Sequence, residues 1–180
     1  MRCRSSTAQS AVYPPKLIAV DTNVLLDLAK GYQQVSDCVA TLKQSPSRPG
    51  RFVVTPTVIH ELMYLADTDR QAREYAHQAL SELKPVWGFE PLNCLPVGHG
   101  IVEQIGKKLR VNGLLPEEEM NDSFILAEAA LANAAALLTS DSHILQIDES
   151  LLRSVLEECE VGVPLLCSPW RVSNFAAANR

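Results

Sequence analysis

Four acidic residues lie where the sequence pattern predicts the ends of strands or the helices that follow them. They are Asp21, Glu61, Asp122 and Asp141. Asp21 and Asp141 each end a short apolar run, Glu61 lies in the helix after the second predicted strand, and Asp122 opens an Ala-rich helix. In an open α/β sheet the carboxyl ends of parallel strands share one edge, and ligands bind there. The pattern therefore predicts that the four carboxylates meet at one edge of the sheet.

Such a group of carboxylates needs a compensating positive charge. Two carboxylates about 4 Å apart repel by roughly 4 kcal/mol at an effective dielectric constant of 20. Oxygen ligands without His or Cys favour Mg²⁺ or Mn²⁺ over zinc. A divalent ion held by carboxylates suits phosphodiester hydrolysis, because it lowers the pKa of an attacking water and neutralises charge on the phosphate.

Each acid taken alone also has an ordinary structural explanation. Asp21 and Asp141 can cap helices, Asp122 can complement the positive end of its helix, and Glu61 can be a solvated charge. For a single acid these structural roles are the commoner outcome. The combination of all four along one α/β pattern favours a functional site.

The elements that position these acids follow from apolar periodicity and turn residues. Five segments are predicted as strands: 17–20, 51–55, 92–95, 136–139 and 163–166. Helices are predicted after Asp21, where Gly31 ends the helix, and at about 32–44, 57–66, 69–84, 98–111, 120–134 and 149–157. We expect the helix at 69–84 to pack against the helix at 98–111. Strands that alternate with helices, without a repeat, predict a parallel sheet with helices on both faces.

Length and composition predict one globular domain. A chain of 180 residues, 47% of them hydrophobic, can bury a substantial core. Residues 1–15 are polar and end in two prolines, which predicts a flexible leader before a single domain at 16–180. Within that domain, residues 68–112 are expected to form a helical arm that serves as a lid, an RNA clamp or a dimer surface.

Charge and cysteine content exclude several classes of protein. The net charge of -5 argues against a protein that binds nucleic acid with its whole surface, although it allows a local basic patch. The 5 cysteines are scattered and form no C-x-x-C pair, so neither a disulfide framework nor a zinc site is indicated. This pattern favours the reducing cytoplasm. The N-terminal segment lacks the apolar core expected of a signal peptide, and the longest apolar candidate, 127–138, is too short for a membrane span.

The segments around the four acids resemble those of the PIN-domain ribonucleases, a family that includes the VapC-type toxins of toxin-antitoxin pairs. The resemblance extends over about 17–170, and each segment carries its own acid in the family's order. The segments are Asp-Thr-Asn at Asp21, Pro-Thr-Val-Ile-His-Glu-Leu at Glu61, Asn-Asp-Ser-Phe-Ile-Leu-Ala-Glu-Ala at Asp122, and Leu-Leu-Thr-Ser-Asp-Ser-His at Asp141.

The resemblance implies a three-layer α/β/α fold with a central parallel sheet, which uses Mg²⁺ or Mn²⁺ to cut single-stranded RNA. By the same resemblance the four acids are the catalytic and metal-binding residues. Asn23 and Thr139 are then small polar groups that support them, and His143 is interpreted as a packing residue. The resemblance also implies a small antitoxin protein as a partner, and a homodimer. The chain is longer than many toxins of the family, mainly through its leader and residues 68–112. This added length counts against the toxin assignment more than against the fold.

Basic and acidic residues near the Ala-rich helix have open interpretations. Lys107, Lys108 and Arg110 are candidates for contacts to RNA phosphates, but they also suit a helix end that complements its own dipole. The run Glu117-Glu118-Glu119 offers a further metal ligand, although a charged helix start is the favoured interpretation.

Competing functions differ in the residues they require. A haloacid dehalogenase-type phosphatase needs a second Asp two residues after the first, where this chain has Asn23. A receiver domain needs adjacent acids before its first helix and a late strand-borne Lys, and we find neither pattern. A catalytically silent PIN-like module that binds RNA or protein remains the main alternative. Since such modules usually lack one of the acids, the presence of all four favours an active enzyme.

Overall fold

The core of the fold is a parallel sheet in which β1 is central. A computed structural model describes residues 15–45, 49–93 and 96–172. Within these residues the sheet has five strands in the order β3-β2-β1-β4-β5, and every neighbouring pair is parallel. The strands are β1 (Lys16–Val20), β2 (Gly50–Val54), β3 (Glu90–Pro91), β4 (Ala136–Leu138) and β5 (Leu165–Cys167).

Helices connect the strands and flank the sheet, which gives the three-layer α/β/α fold predicted from the sequence. The helices are α1 (Thr22–Ala29), α2 (Gln33–Lys43), α3 (Pro56–Thr68), α4 (Arg73–Glu82), α5 (Pro96–Val111), α6 (Met120–Leu131), α7 (Ser142–Leu145) and α8 (Glu149–Glu157). None of the helices in the described part of the chain is long and apolar enough to cross a membrane.

The register of the three central strands brings their carboxyl ends together. Val20 of β1 pairs with Val54 of β2 on one side and with Leu138 of β4 on the other. All three side chains are buried, because an all-parallel sheet is covered on both faces. The residues that follow these strands, Asp21 and Thr139 among them, therefore meet at one edge.

The chain turns into helices at this edge for local reasons. Asp21 caps α1 and Asp141 caps α7 with their side chains, while Pro56 takes the first position of α3, where a backbone N–H is not needed. Gly31 has a φ of 77°, a conformation that glycine adopts without steric cost, and it ends α1 as predicted.

Three expectations about the elements are wrong. The segments 69–84 and 98–111 do not pair: α4 packs on α3 and α1, whereas α5 packs on α6 and α8. The third strand is Glu90–Pro91 rather than 92–95, of which residues 94 and 95 lie outside the described residues. The last strand begins at Leu165 rather than at 163, since Pro164 has no N–H for the ladder, and helix α7 was not predicted.

The predicted division into a leader and a domain stays a prediction. Residues 1–14 lie outside the described residues, and β1 begins at Lys16.

Candidate active site

Asp21 is the most deeply buried of the four acids. It follows β1 directly, and only 2% of its surface is exposed. Its Oδ1 accepts a hydrogen bond from the Thr22 backbone N–H at 2.6 Å, and its Oδ2 accepts one from the Thr139 hydroxyl at 2.6 Å. Both carboxylate oxygens are therefore fixed in direction by the ends of β1 and β4.

Thr139 connects Asp21 with Asp141. Its hydroxyl donates to Asp21 and accepts a hydrogen bond from the Asp141 backbone N–H at 2.9 Å. The Asp141 Oδ1 in turn accepts from the backbone N–H groups of His143 at 2.6 Å and Ile144 at 3.3 Å, which caps α7. Asp21 and Asp141 thus both cap helices, as the structural interpretation of each residue predicts, and they also lie in one hydrogen-bonded chain.

Glu61 is held by two other elements. Its Oε1 accepts a hydrogen bond from Asn121 Nδ2 at 2.7 Å, and its Oε2 accepts one from the Thr22 hydroxyl. Asn121 precedes Asp122 on α6, and Thr22 follows Asp21 on α1. Glu61 is therefore tied to α1, which begins after Asp21, and to α6, which carries Asp122.

Burial, together with repulsion between the carboxylates, raises the pKa of Asp21 and of Asp122. Burial raises the pKa of Asp122 to about 7, with added repulsion from Asp21, Asp141, Glu119 and Glu61. Burial also raises the pKa of Asp21 to about 6, against the hydrogen bonds from Thr139 and Thr22 and with repulsion from Glu61 and Asp141. The structure thus brings the four predicted acids into one electrostatically coupled group.

A cleft of about 580 Å³ opens beside this group. Its polar wall includes Asp21, Glu61 and Asp122 together with the exposed Asn23. The remaining wall is apolar and is formed by Leu26, Tyr64, Leu65 and Phe124. Asp21, Glu61 and Asp122 therefore line a recess large enough for part of a polymer substrate, whereas Asp141 is not among the residues that line it.

Glu119 and His143 extend the group on its exposed side. His143 Nδ1 lies 3.2 Å from Glu119 Oε1, and one donor atom each from Glu119, Asp122 and His143 lie within 4.8 Å of one another. The interpretation of His143 as a packing residue is wrong, because α7 directs it outwards, where it is exposed. Glu119 belongs to the run Glu117-Glu118-Glu119, for which the sequence left a further metal ligand open beside the favoured interpretation of a charged helix start.

The basic residues of α5 have partners of their own. Lys108 Nζ lies 3.7 Å from Glu158 Oε2, and Arg110 donates to the Ser123 hydroxyl with its guanidinium carbon 5.7 Å from the centre of the Phe124 ring. Lys107 is exposed. Their predicted contacts with RNA phosphates stay a prediction.

The donor set suits a hard divalent cation. The four acids supply carboxylate oxygens, the ligands that Mg²⁺ and Mn²⁺ prefer. Burial first, and repulsion from the neighbouring acids second, raise the pKa values of Asp21 and Asp122, so both effects oppose ionisation of the group. A bound cation would relieve that repulsion, so the residues present fit the metal that the fold family implies.

The fold and site define an α/β protein with a parallel sheet and an acidic cleft at the carboxyl end of its strands, and comparison with known families is more specific. The PIN domain family model matches residues 18–150, so the chain belongs to the PIN domain family. Members of this family are typically nucleases and generally use a divalent metal ion. A comparison with curated proteins gives no significant match.

Solved structures agree with this fold. VapBC2 from Rickettsia felis, bound to a DNA fragment from their promoter, has a TM-score of 0.57 at 15% identity, over 84% of this chain and 98% of that one. VapBC-1 from nontypeable Haemophilus influenzae has a TM-score of 0.56 at 18% identity, over 85% of this chain and 98% of that one. At these identities the likeness concerns the fold alone.

Proposed function

We propose that the protein is a metal-dependent endoribonuclease that hydrolyses phosphodiester bonds of single-stranded RNA with Mg²⁺ or Mn²⁺. The observation that carries the proposal is the coupled group of Asp21, Glu61, Asp122 and Asp141 beside an open cleft. A PIN fold with all four acids in place supports activity rather than a silent binding module.

In this proposal the four acids would hold the metal, which supplies an activated water and neutralises charge on the phosphate. The chain's own hydrogen bonds keep the acids in place before metal binds. Thr139 directs one oxygen of Asp21, while Thr22 and Asn121 direct both oxygens of Glu61. Orientation by such supporting contacts lowers the reorganisation that binding requires.

The apolar wall of the cleft supports a polymer substrate with exposed bases. Tyr64 is 67% exposed and lies with Leu65 and Phe124 along the same recess as the acids. Unpaired bases stack on aromatic side chains with little sequence preference. A single strand placed with its phosphate at the acids would therefore have a surface for its bases.

The test is cleavage of a mixed pool of single-stranded RNA by purified protein with Mg²⁺, with Mn²⁺ and with EDTA. We expect cleavage that requires the metal and that is lost in Asp21→Asn. Asp148→Asn is the matched control, because Asp148 also caps a helix by accepting from Leu151 N–H at 2.8 Å but lies outside the acidic group. Wild-type cleavage by Asp21→Asn would refute the site assignment. A folded wild-type protein that binds neither Mn²⁺ nor Mg²⁺ would favour the silent module.

We also propose a small antitoxin protein as a partner, which blocks the acidic cleft with a basic group. Met63 and Tyr64, 53% and 67% exposed, give α3 an apolar surface beside the acids. A partner bound there would cover apolar area and bring a cation to the carboxylates. The assignment would be supported if a small basic protein encoded beside this chain co-purifies with the wild type but not with Tyr64→Asp. Recovery of that protein with both the wild type and Tyr64→Asp would refute this surface. The predicted homodimer stays a prediction.

A further inference from the structure

Glu128 is a buried carboxylate outside the predicted site. It lies on α6, and only 3% of its surface is exposed. Both of its oxygens bind a single residue of α3: Oε2 accepts from the Thr57 backbone N–H at 3.1 Å, and Oε1 accepts from the Thr57 hydroxyl at 2.9 Å. A buried charge is costly unless it is fully hydrogen-bonded, so this contact is a specific feature of the fold.

The start of α3 explains why an acid is suited to this place. The residue before the helix, Thr55, makes no capping hydrogen bond with its side chain, and Pro56 has no N–H. Thr57 therefore carries the first backbone donor of a helix of 13 residues, and Glu128 accepts from it across the helix interface. A negative charge at a helix N-terminus also interacts favourably with the helix dipole.

Glu128 forms one of two links between α3 and α6. On α6, Asn121 and Glu128 are seven residues apart and share a face, and on α3 Thr57 and Glu61 are four residues apart and share a face. Glu128 binds Thr57, and Asn121 binds Glu61 at 2.7 Å. The two helices are thus joined at Thr57 and again at Glu61, which are the two ends of the turn of α3 that faces the cleft.

This arrangement resists a force that acts on Glu61. The charge of Glu61 adds to the repulsion felt by Asp21 and Asp122, and the same repulsion pushes Glu61 away from them. Thr22 and Asn121 hold the carboxylate itself, while α3 is held by the packing of its buried face and by a contact to the backbone of its first turn. Thr57 supplies that contact and also lines the cleft.

We propose that Glu128 is a positioning residue of the acidic site, which fixes α3 against α6 through Thr57 so that Glu61 is presented to a divalent cation. The inference rests on the proposed metal-dependent function. It adds a fifth acid whose role is to hold an element of the site and not to bind metal.

The test measures Mn²⁺ affinity by calorimetry on proteins confirmed as folded by circular dichroism. Removal of a supporting contact around a metal site typically lowers affinity by 10–100-fold, so we expect Glu128→Ala to bind Mn²⁺ about 10-fold more weakly. Glu128→Gln keeps an acceptor for the Thr57 N–H and is expected to recover most of that loss. The matched control is Leu152→Ala, a buried truncation on α8 away from the cleft, which we expect to lower stability without weakening Mn²⁺ binding.

A double-mutant cycle separates positioning from general destabilisation. If Glu128 acts through Glu61, Glu128→Ala should weaken Mn²⁺ binding in the wild type but have little further effect in Glu61→Gln. Equal losses in both backgrounds, or wild-type affinity in folded Glu128→Ala, would overturn the inference and leave the metal site intact. Absence of Mn²⁺ binding by the wild type would overturn the proposed function, and the role of Glu128 with it.

Discussion

Replacing Asp21 with Asn is expected to stabilise the metal-free protein while it abolishes cleavage. Burial raises the pKa of Asp21 from 3.8 to about 6, so the folded protein holds this proton more tightly than the unfolded chain does. Below pH 3.8 both states are protonated and there is no penalty. As the pH rises towards 6 and above, the unfolded chain gains more from ionisation, and the folded state loses stability. The full loss amounts to about 3 kcal/mol, at 1.36 kcal/mol for each pKa unit.

An Asn side chain removes the charge but keeps most of the contacts. Its carbonyl oxygen can accept from the Thr22 N–H, as Asp21 Oδ1 does. Its amide can donate to the Thr139 hydroxyl, which reverses the hydrogen bond that this hydroxyl donates to Asp21 Oδ2. The reversed hydrogen bond costs about 1 kcal/mol, which leaves a net gain of about 2 kcal/mol above neutral pH. For a domain of this size that gain raises the melting temperature by about 4–8 °C.

The assay is thermal unfolding in EDTA between pH 4 and pH 8.5, with Asp148→Asn as the control. We expect Asp21→Asn to exceed the wild type at pH 8, with the difference falling to zero at about pH 4.5, where the ionisation penalty equals the cost of the reversed hydrogen bond, and we expect the control to follow the wild type throughout. A variant that melts at or below the wild type at pH 8 would refute the argument. So would a gain of equal size at every pH, because that gain would not come from the buried charge.

Three further predictions concern the same edge of the sheet. Mn²⁺ should raise the wild-type melting temperature more at pH 8 than at pH 5, because Asp21 and Asp122, with pKa values of about 6 and about 7, bind protons at the lower pH; equal shifts would contradict this. Thr139→Val should lower the free energy of unfolding in urea by about 1–3 kcal/mol, because the Asp141 N–H and the Asp21 Oδ2 lose the hydroxyl that pairs with them; Thr139→Ser should restore it. Gly106→Ala should cost about 1–3 kcal/mol in the same assay, because its Cβ would lie 2.7 Å from Phe124 Cδ1, and an unchanged stability would show that α5 shifts freely on α6.

The strands and the acids that follow them were predictable because local chemistry specifies them. Buried β-branched runs such as Phe52-Val53-Val54 have few alternatives to a central strand, and a polar residue at the end of each run marks the sheet edge. The structure accordingly brings Asp21, Glu61, Asp122 and Asp141 together where the pattern places them.

Contacts between elements were not predictable in the same way. An apolar stripe shows that a helix face is buried but does not show against which partner, and so α4 and α5 were wrongly paired. Glu128 lies within a run of Ala and Leu residues, where the surrounding pattern indicates core packing. Its role depends on Thr57, which is 71 residues away in the chain, and no local spacing reports such a contact.

The hydrogen bonds around the acids share one pattern, which depends on contacts between distant parts of the chain. The residue beside one acid holds a different acid: Thr22, next to Asp21, and Asn121, next to Asp122, both bind Glu61. Thr139, two residues before Asp141, binds Asp21. The end of β1, the end of β4 and the start of α6 thus each supply one acid and one polar group for a neighbouring acid. Hydrogen bonds between elements therefore add to the local helix-capping bonds of Asp21 and Asp141. Because these contacts are made by the chain's own groups, the protein itself orients the acids, and the free energy of metal binding need not be used to assemble the site.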